Sequence, residues 1–502
     1  MANVTQTIAN EIAKVLSGNK IYDTLRPQWK YLLESYLGGD EYRRAGHLQR
    51  YQTETPQEYD LRLKTTPLDN HCSSVVSVYT SFLFREQPYR DLGMMGKHPM
   101  MEEFLRDCDY EGRSIDHFME DAAIWASVFG HTYLVLAKPN IGANTRADEI
   151  AAGVRPYISM LTPLYVLDWS YSRDRSGRYT LDYFKYIEEV NGSITTVKEW
   201  TPEFVKTSVV DEDRGEFTEV VVEENGLGKI PVVIVYNKRS SMRGIGVSDL
   251  ADIADLQKFI YNSYSEVDQS IRLNTHPSLV KTENTNAGIG AGSIIHVEEN
   301  LDPGLKPYLL EFNGASVDSI YQAIDKAVEA IDKIANTGAI RSTQAASMSG
   351  YAREMEFQLL NSKLSQKAHS IELAEEQIWR LWAEYMGYPA NEFEIRYPGS
   401  FNVRDSYNDL DFYLKALTAG VPSERFRKEI YKNIADIVVG DSDEFMEVKA
   451  EIDGAATGDF SSVDNMGFEA HQMVNPETGE LRTVETYAEH ERLSSEGWIG
   501  SD

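Results

Sequence analysis

Few residues in this chain are placed for chemistry, and none completes a reactive set. Gly226-Leu227-Gly228-Lys229-Ile230 has part of a phosphate-binding loop, in which glycine amides and a lysine cradle phosphates. It lacks the upstream glycine and the hydroxyl residue, and Pro231 stands where a helix should open, so it reads as a loop before a strand. Gly244-Ile245-Gly246 follows a strand and opens a helix, as a dinucleotide site would. Asp249 occupies the third-glycine position and no parallel βαβ unit surrounds it, so a flexible turn is expected. Gly288-Ile289-Gly290-Ala291-Gly292 has no helix N-terminus to supply a dipole for an anion, and reads as a loop or mobile tip. His471 and His490 lie among carboxylates at no zinc-ligand spacing. Asp107 with Asp109, and Asp211–Asp213, have no accompanying nucleophile or base and are expected as solvated surface acids. Cys72 and Cys108 make no CxxC pair and are expected as reduced thiols. No catalytic residue, metal or cofactor is expected.

Composition narrows the function further. The chain has 502 residues, enough for a sizeable core and several substructures, and a formal charge of −30. Such a charge argues against wrapping of nucleic-acid phosphates, which needs cations to displace counterions. It fits a self-repelling surface, or a channel through which a polyanion passes without sticking. Asp441–Asp502 carries sixteen acidic residues against three basic ones and is expected to be a solvated, partly disordered end. The first residues lack the layout of a signal peptide, and the longest apolar run, Ile230–Tyr236, is too short to span a bilayer. A soluble protein that does not meet a membrane is expected.

The elements that would position these residues are legible in outline. Residues 1–38 read as helical up to a Gly38-Gly39-Asp40 break, Glu41–Thr66 as a polar irregular stretch, and Asn70–Leu83 and Glu102–Val128 as helices, the latter interrupted near Gly112. From Thr132 to Lys238 short β-branched and aromatic runs alternate with turn signals such as Asp174–Gly177 and Asn191-Gly192, predicting a β meander. Ser248–Leu273 and Val317–Ile334 each carry one apolar stripe, through Leu250, Ile253, Ile260 and Val267, and through Ile320, Ile324, Val328 and Ile331. Ser248 is the expected N-cap, with Asp249 and Asp252 favourably placed at the positive end of the helix dipole. Between the two helices lies a glycine-rich excursion, His276–Ala315. A small-residue loop, Asn336–Gly350, then leads to Tyr351–Met386, which has no Gly or Pro and would span roughly 54 Å as a helix. Glu392–Tyr397 reads as a strand, and Ser406–Ala419 and Ser423–Val438 as helices. The fold class is α+β.

Taken in order, Ala126–Val135 (ASVFGHTYLV), Leu227–Asn237 (LGKIPVVIVYN), Asp249–Val280, ending in THPSLV, and Ser349-Gly350-Tyr351-Ala352 resemble the portal, or head-to-tail connector, proteins of tailed bacteriophages in the SPP-type group. Ala126–Val135 resembles the helix-to-strand passage into the wing, and Leu227–Asn237 the strand before the stem. Asp249–Val280 is similar to the first stem helix and its exit, and Ser349–Ala352 to the passage from tunnel loop to wing helix. The resemblance covers roughly residues 20–440 and implies a ring, a dodecamer, at one capsid vertex of the virion, assembled in the host cytoplasm, through which double-stranded DNA is packaged and ejected.

It also implies a division of the chain: wing over 1–240, stem over 241–275 and 316–335, clip over 276–315, tunnel loop over 336–350, long helix and strand over 351–404, crown over 405–452, and acidic tail over 453–502. The expected channel residues are Ala339, Arg341, Ser342, Thr343, Gln344 and Ser347. Arg341 has two open readings, a phosphate contact or a salt bridge to a nearby acid. Lys281, Asn284, Gly288, Gly290, Gly292 and Lys306 would lie where the clip docks the terminase large subunit and later a head–tail adaptor. A major capsid or scaffolding protein would be a further partner. The rival readings are another virion head–tail structural protein and an acidic soluble enzyme; a ring with a central hole supports the portal reading, and a compact dimer sinks it.

Overall fold

Caps and breaks place the N-terminal helices of this computed structural model. It describes residues 10–139, 141–142, 146–275, 278–281, 302, 304, 307–310, 315–341, 350–389, 392–401, 406–418, 423–439, 445–454, 471–476, 478–484, 492–494 and 496–500. Asn19 accepts from the Ile21 amide to start α1 (Lys20–Leu37), and Gly38, at φ 64°, ends it where the break was expected. α2 (Gly39–Arg44) follows directly. α3 (Pro56–Thr65) lies inside the stretch expected to be irregular: Thr55 and Glu58 form a reciprocal capping box around Pro56, which outweighs the polar composition. α4 (His71–Leu83) is capped by Asn70, and α5 (Met101–Arg106) and α6 (Ile115–Phe129) are separated around Gly112.

The β-rich region forms two sheets. β2 (His131–Ala137) is the centre of one, between β3 (Tyr157–Leu161) and β9 (Val232–Tyr236), both antiparallel to it. Six of its seven residues are buried, the reason it reads as a continuous apolar run. β4 (Val166–Arg173), β5 (Tyr179–Asn191), β6 (Ile194–Trp200), β7 (Phe204–Asp211) and β8 (Glu216–Glu224) make the other, a meander in sequence order. α7 (Arg146–Ala151) lies between β2 and β3, and the short β1 (Tyr89–Asp91) pairs with β12 (Glu394–Arg396).

α8 (Ile253–Thr275) and α9 (Ala315–Ala335) pack side by side, burying Ile253, Ile260 and Val267 against Ile324, Ala327 and Ile331. α8 starts later than expected because residues 249–252 form a turn; Ser248 Oγ still accepts from the Leu250 amide at 2.9 Å. Between the helices, β10 (Ser278–Val280) and β11 (Tyr308–Leu310) pair antiparallel. α10 (Gly338–Arg341) occupies part of the expected loop. α11 (Gly350–Met386) is a core element, with Leu360, Leu364, Ile371, Ile378, Trp379 and Trp382 buried.

Residues 402–502 form a separate compact unit. α12 (Ser406–Thr418) and α13 (Glu424–Val439) match expectation, and α14 (Phe445–Gly454) adds a third helix. The acidic end is not wholly solvated. β13 (His471–Val474), β14 (Leu481–Val484) and β15 (Ile499–Gly500) form a sheet over a cluster of Met473, Val484, Leu493 and Trp498. Strands this short, in an acidic background, leave no readable period.

Gly244–Gly246 is packed, not a flexible turn. A Cβ on Gly246 would stand 1.8 Å from the Gly130 carbonyl oxygen, and Gly130 itself, at φ 90°, caps α6. Gly246→Ala should therefore lower the thermal unfolding midpoint by several degrees through forced backbone displacement. Gly226→Ala, with no atom within 4 Å of its Cβ, should leave it nearly unchanged.

Candidate functional site

The polar groups of the chain concentrate where the helical pair meets the body. Asp249, expected as a dipole partner for α8, is instead buried beneath two lysines. Its carboxylate lies 2.5 Å from Lys367 Nζ and 3.3 Å from Lys363 Nζ. Lys367 also donates to Ser127 Oγ at 3.0 Å and to the Asn237 side-chain oxygen, which ties together the ends of α6 and β9. Burial alone would raise the Asp249 carboxyl, but Lys367 and Lys363 more than offset it and hold it below the usual range. Burial pulls the Lys367 ammonium down, with Asp249 opposing.

A second cluster lies at the same end of the pair, where α9 stops. Asn336, at φ 58°, takes the left-handed position after α9, and the Thr337 amide returns to the Asp332 carbonyl at 2.9 Å, a Schellman stop. This turn carries α10 back so that Arg341 Nη1 stands 3.0 Å from Asp332 Oδ1, while Nη2 donates to His71 Nδ1 at 2.7 Å. His71 Nε2 lies 3.2 Å from Asp69. Burial pulls the His71 imidazole down, with Asp69 opposing. Of the two readings for Arg341, the structure has the salt bridge, with 12% of the side chain exposed. The clusters are linked: Tyr79 donates to the Ala335 carbonyl at 2.6 Å and accepts from Lys363 at 2.7 Å.

The remaining expected site residues are placed unevenly. Ala339 lies in α10 with Arg341, and Lys281 is exposed just after β10. Ser342, Thr343, Gln344, Ser347, Asn284, Gly288, Gly290, Gly292 and Lys306 lie outside the described residues. Three of the expected surface acids are structural. Asp107 accepts from the buried Arg155 at 3.0 Å and from the Gly112 amide at 2.9 Å. Asp109 takes Arg113 Nε at 2.5 Å, and Asp211 accepts from the Asp213 and Arg214 amides. Burial pushes both thiols, Cys72 and Cys108, up to about 12, so they stay protonated. Among the described residues no group of His, Cys, Asp or Glu could hold a metal, and no helix is long and apolar enough to cross a membrane.

Lys363, Lys367, Tyr79, His71 and Asp332 were missed from sequence. One signal was available: at 100° per residue, Lys367 falls inside the apolar stripe, between Ala374 and Leu381 on one side and Leu360, Ile371 and Leu364 on the other, where an unpaired lysine would be costly.

Comparison with known proteins adds a family. The family described as "Phage portal protein, SPP1 Gp6-like" matches residues 109–438. No curated protein matches the chain. Among solved structures, the chain resembles one from the neck of an empty GTA particle computed with C6 symmetry, at 11% identity and a TM-score of 0.43, covering 78% of this chain and 98% of that one. Chains from the virion of a native gene transfer agent (GTA) particle and from a native GTA neck computed with C12 symmetry each give 11% identity and a TM-score of 0.41, covering 78% of this chain and 96% of theirs.

Two outcomes follow from these buried groups. Lys367→Met leaves the buried Asp249 carboxylate only the partly exposed Lys363 and should cost about 3 kcal/mol, read by denaturant unfolding. Exposed Lys326→Met should cost less than about 0.5 kcal/mol. His131 accepts from the Gly246 amide at 3.2 Å, and burial pulls its imidazole down from 6.5 to about 3. Its folded value lies below the unfolded one, so the unfolded chain binds the extra proton and stability falls as pH drops through that window. The slope should approach about 1.4 kcal/mol per pH unit from this group, and His131→Gln should remove that share.

Proposed function

The chain belongs to the SPP1 Gp6-like phage portal proteins, and on that footing we propose that it closes head to tail into a ring through which double-stranded DNA enters and leaves the capsid. A portal protein stands at the capsid vertex as the head–tail connector. The observation that carries the reading is the family match over residues 109–438, which spans the paired helices, the excursion between them and α11.

Physical features support it. Phe259 and Ile271 on α8, and Tyr321 and Ile334 on α9, stay 48%, 46%, 43% and 43% exposed although the opposite stripes are buried. Neighbouring copies in a closed ring would cover them. The net charge of −30 suits a wall along which DNA slides. The β10–β11 pair marks the base of the clip, where the packaging terminase and then an adaptor would dock, and the assembled ring would meet the capsid or scaffolding protein. Arg341, held by Asp332, anchors the start of the tunnel loop; contact with passing DNA falls to the residues after it.

Deleting Gln344–Ser349 should leave rings intact by native mass spectrometry and negative-stain microscopy while impairing packaging or retention of DNA. Failure of the deleted chain to form rings would overturn the assignment of the tunnel loop.

A further inference from the structure

The two sides of the meander sheet carry opposite charge, and among the described residues little of it is neutralised: on the acidic side Glu216 has Arg214 at 3.8 Å, while Glu219, Glu223 and Glu224 make no salt bridge. At the β4 side, the β4–β5 turn presents Arg173, Arg175 and Arg178, and the segment after β9 presents Lys238, Arg239 and Arg243, all six exposed. Three of the guanidiniums rest on tyrosine rings: Arg243 is 3.3 Å from the centroid of Tyr179, Arg173 is 5.6 Å from the same ring, and Arg239 is 4.6 Å from Tyr236. Asp174, the acid of that turn, is occupied by Ser176 Oγ at 2.7 Å and the Arg178 amide at 2.8 Å. Six cations, none in a salt bridge among the described residues, stand out in a chain where acids outnumber bases by 79 to 49.

The opposite edge is β8. No residue of this strand is buried, and Val220, Val221 and Val222 are 49%, 38% and 61% exposed. Glu216, Glu219, Glu223 and Glu224 supply its charge, with no base in the strand. Among the described residues β8 pairs only with β7, so its outer edge is open. An apolar open edge invites pairing with another chain, and soluble proteins usually blunt it with lysine. Here the charges are acidic, complementary to the other side of the same sheet.

A heterologous contact that repeats around an axis needs two different, complementary surfaces on one chain. We propose that β8 of one copy docks against the β4–β5 turn and residues 238–243 of the next copy. The glutamates meet the arginines, and Val220–Val222 are covered. The proposal rests on the ring reading above and names one of its interfaces.

The test uses two charge-reversal variants of the full chain, Arg173→Glu/Arg239→Glu/Arg243→Glu and Glu219→Lys/Glu223→Lys/Glu224→Lys. All six positions are exposed, and circular dichroism checks that each variant folds. Like charges would then face each other in each homomeric ring, so the ring fraction in native mass spectrometry should fall about tenfold at low salt. Mixing the two variants restores opposite charges at every contact and should return rings containing both in equal number. Wild-type ring yield and salt tolerance in either variant alone would overturn the interface while leaving the ring reading standing. Folded variants that fail to form rings when mixed would also overturn it. Loss of retention of a double-stranded DNA fragment by the arginine variant, with normal rings, would reassign the basic patch to nucleic acid. Wild-type chain that forms no rings at all removes both readings together.

Discussion

A carboxylate and two ammonium groups withdrawn from water set the geometry of this molecule. Desolvating each ion costs several kcal/mol, and the Coulomb attraction offsets that cost only when the remaining donors and acceptors are satisfied. The Asp249–Lys367 pair meets the condition through Asn237 and Ser127, so the start of α8, the end of β9 and the end of α6 are all referenced to one point on α11. Lys363 extends the same constraint through Tyr79 to the last carbonyl of α9. The start of α8 and the end of α9, which lie together at the body end of the pair, are thus indexed to neighbouring turns of one helix, and a shift of α8 would leave the Asp249 charge uncompensated.

How much of this could be read in advance depends on the range of the interaction. The strands of 132–238 were legible because turn residues such as Asp174–Gly177 and Asn191-Gly192 punctuate them. Their division into two sheets was not, because β9 joins β2 across the whole meander and that pairing is a tertiary outcome. α3 was legible only through the Thr55–Glu58 cap, and β1 is too short for any period. The buried Lys367 left a trace inside an apolar stripe, but its partner lies 118 residues away and has no sequence mark. Arg341 was left between two roles because Asp332 is not at a helical i,i+4 spacing. The Schellman turn at Asn336 brings them together, and that turn depends on one residue adopting a positive φ.

The same contrast separates the parts that carry function from the parts that hold it. The core elements are over-determined: a glycine pair in backbone contact, buried aromatic residues along α11 and a neutral histidine under two tyrosines each fix the same arrangement. The surfaces assigned to assembly use simpler means, an apolar strand edge and clustered charge, whose contributions depend on salt and on the presence of a neighbour. If those proposed surfaces form the contacts, stability and association are governed by different residues and can vary independently.

The pairing of β10 with β11 gives the chain a hinge of another sort, one of descent. The outgoing and returning strands lie side by side over three residues each, Ser278 opposite Leu310 and Val280 opposite Tyr308. Because the cost of closing a loop grows only slowly with its length, the sequence between Val280 and Tyr308 can lengthen, shorten or be exchanged wholesale once those two strand ends match. The segment between the two strands is in that sense a cassette, whose length and sequence the body behind it does not constrain.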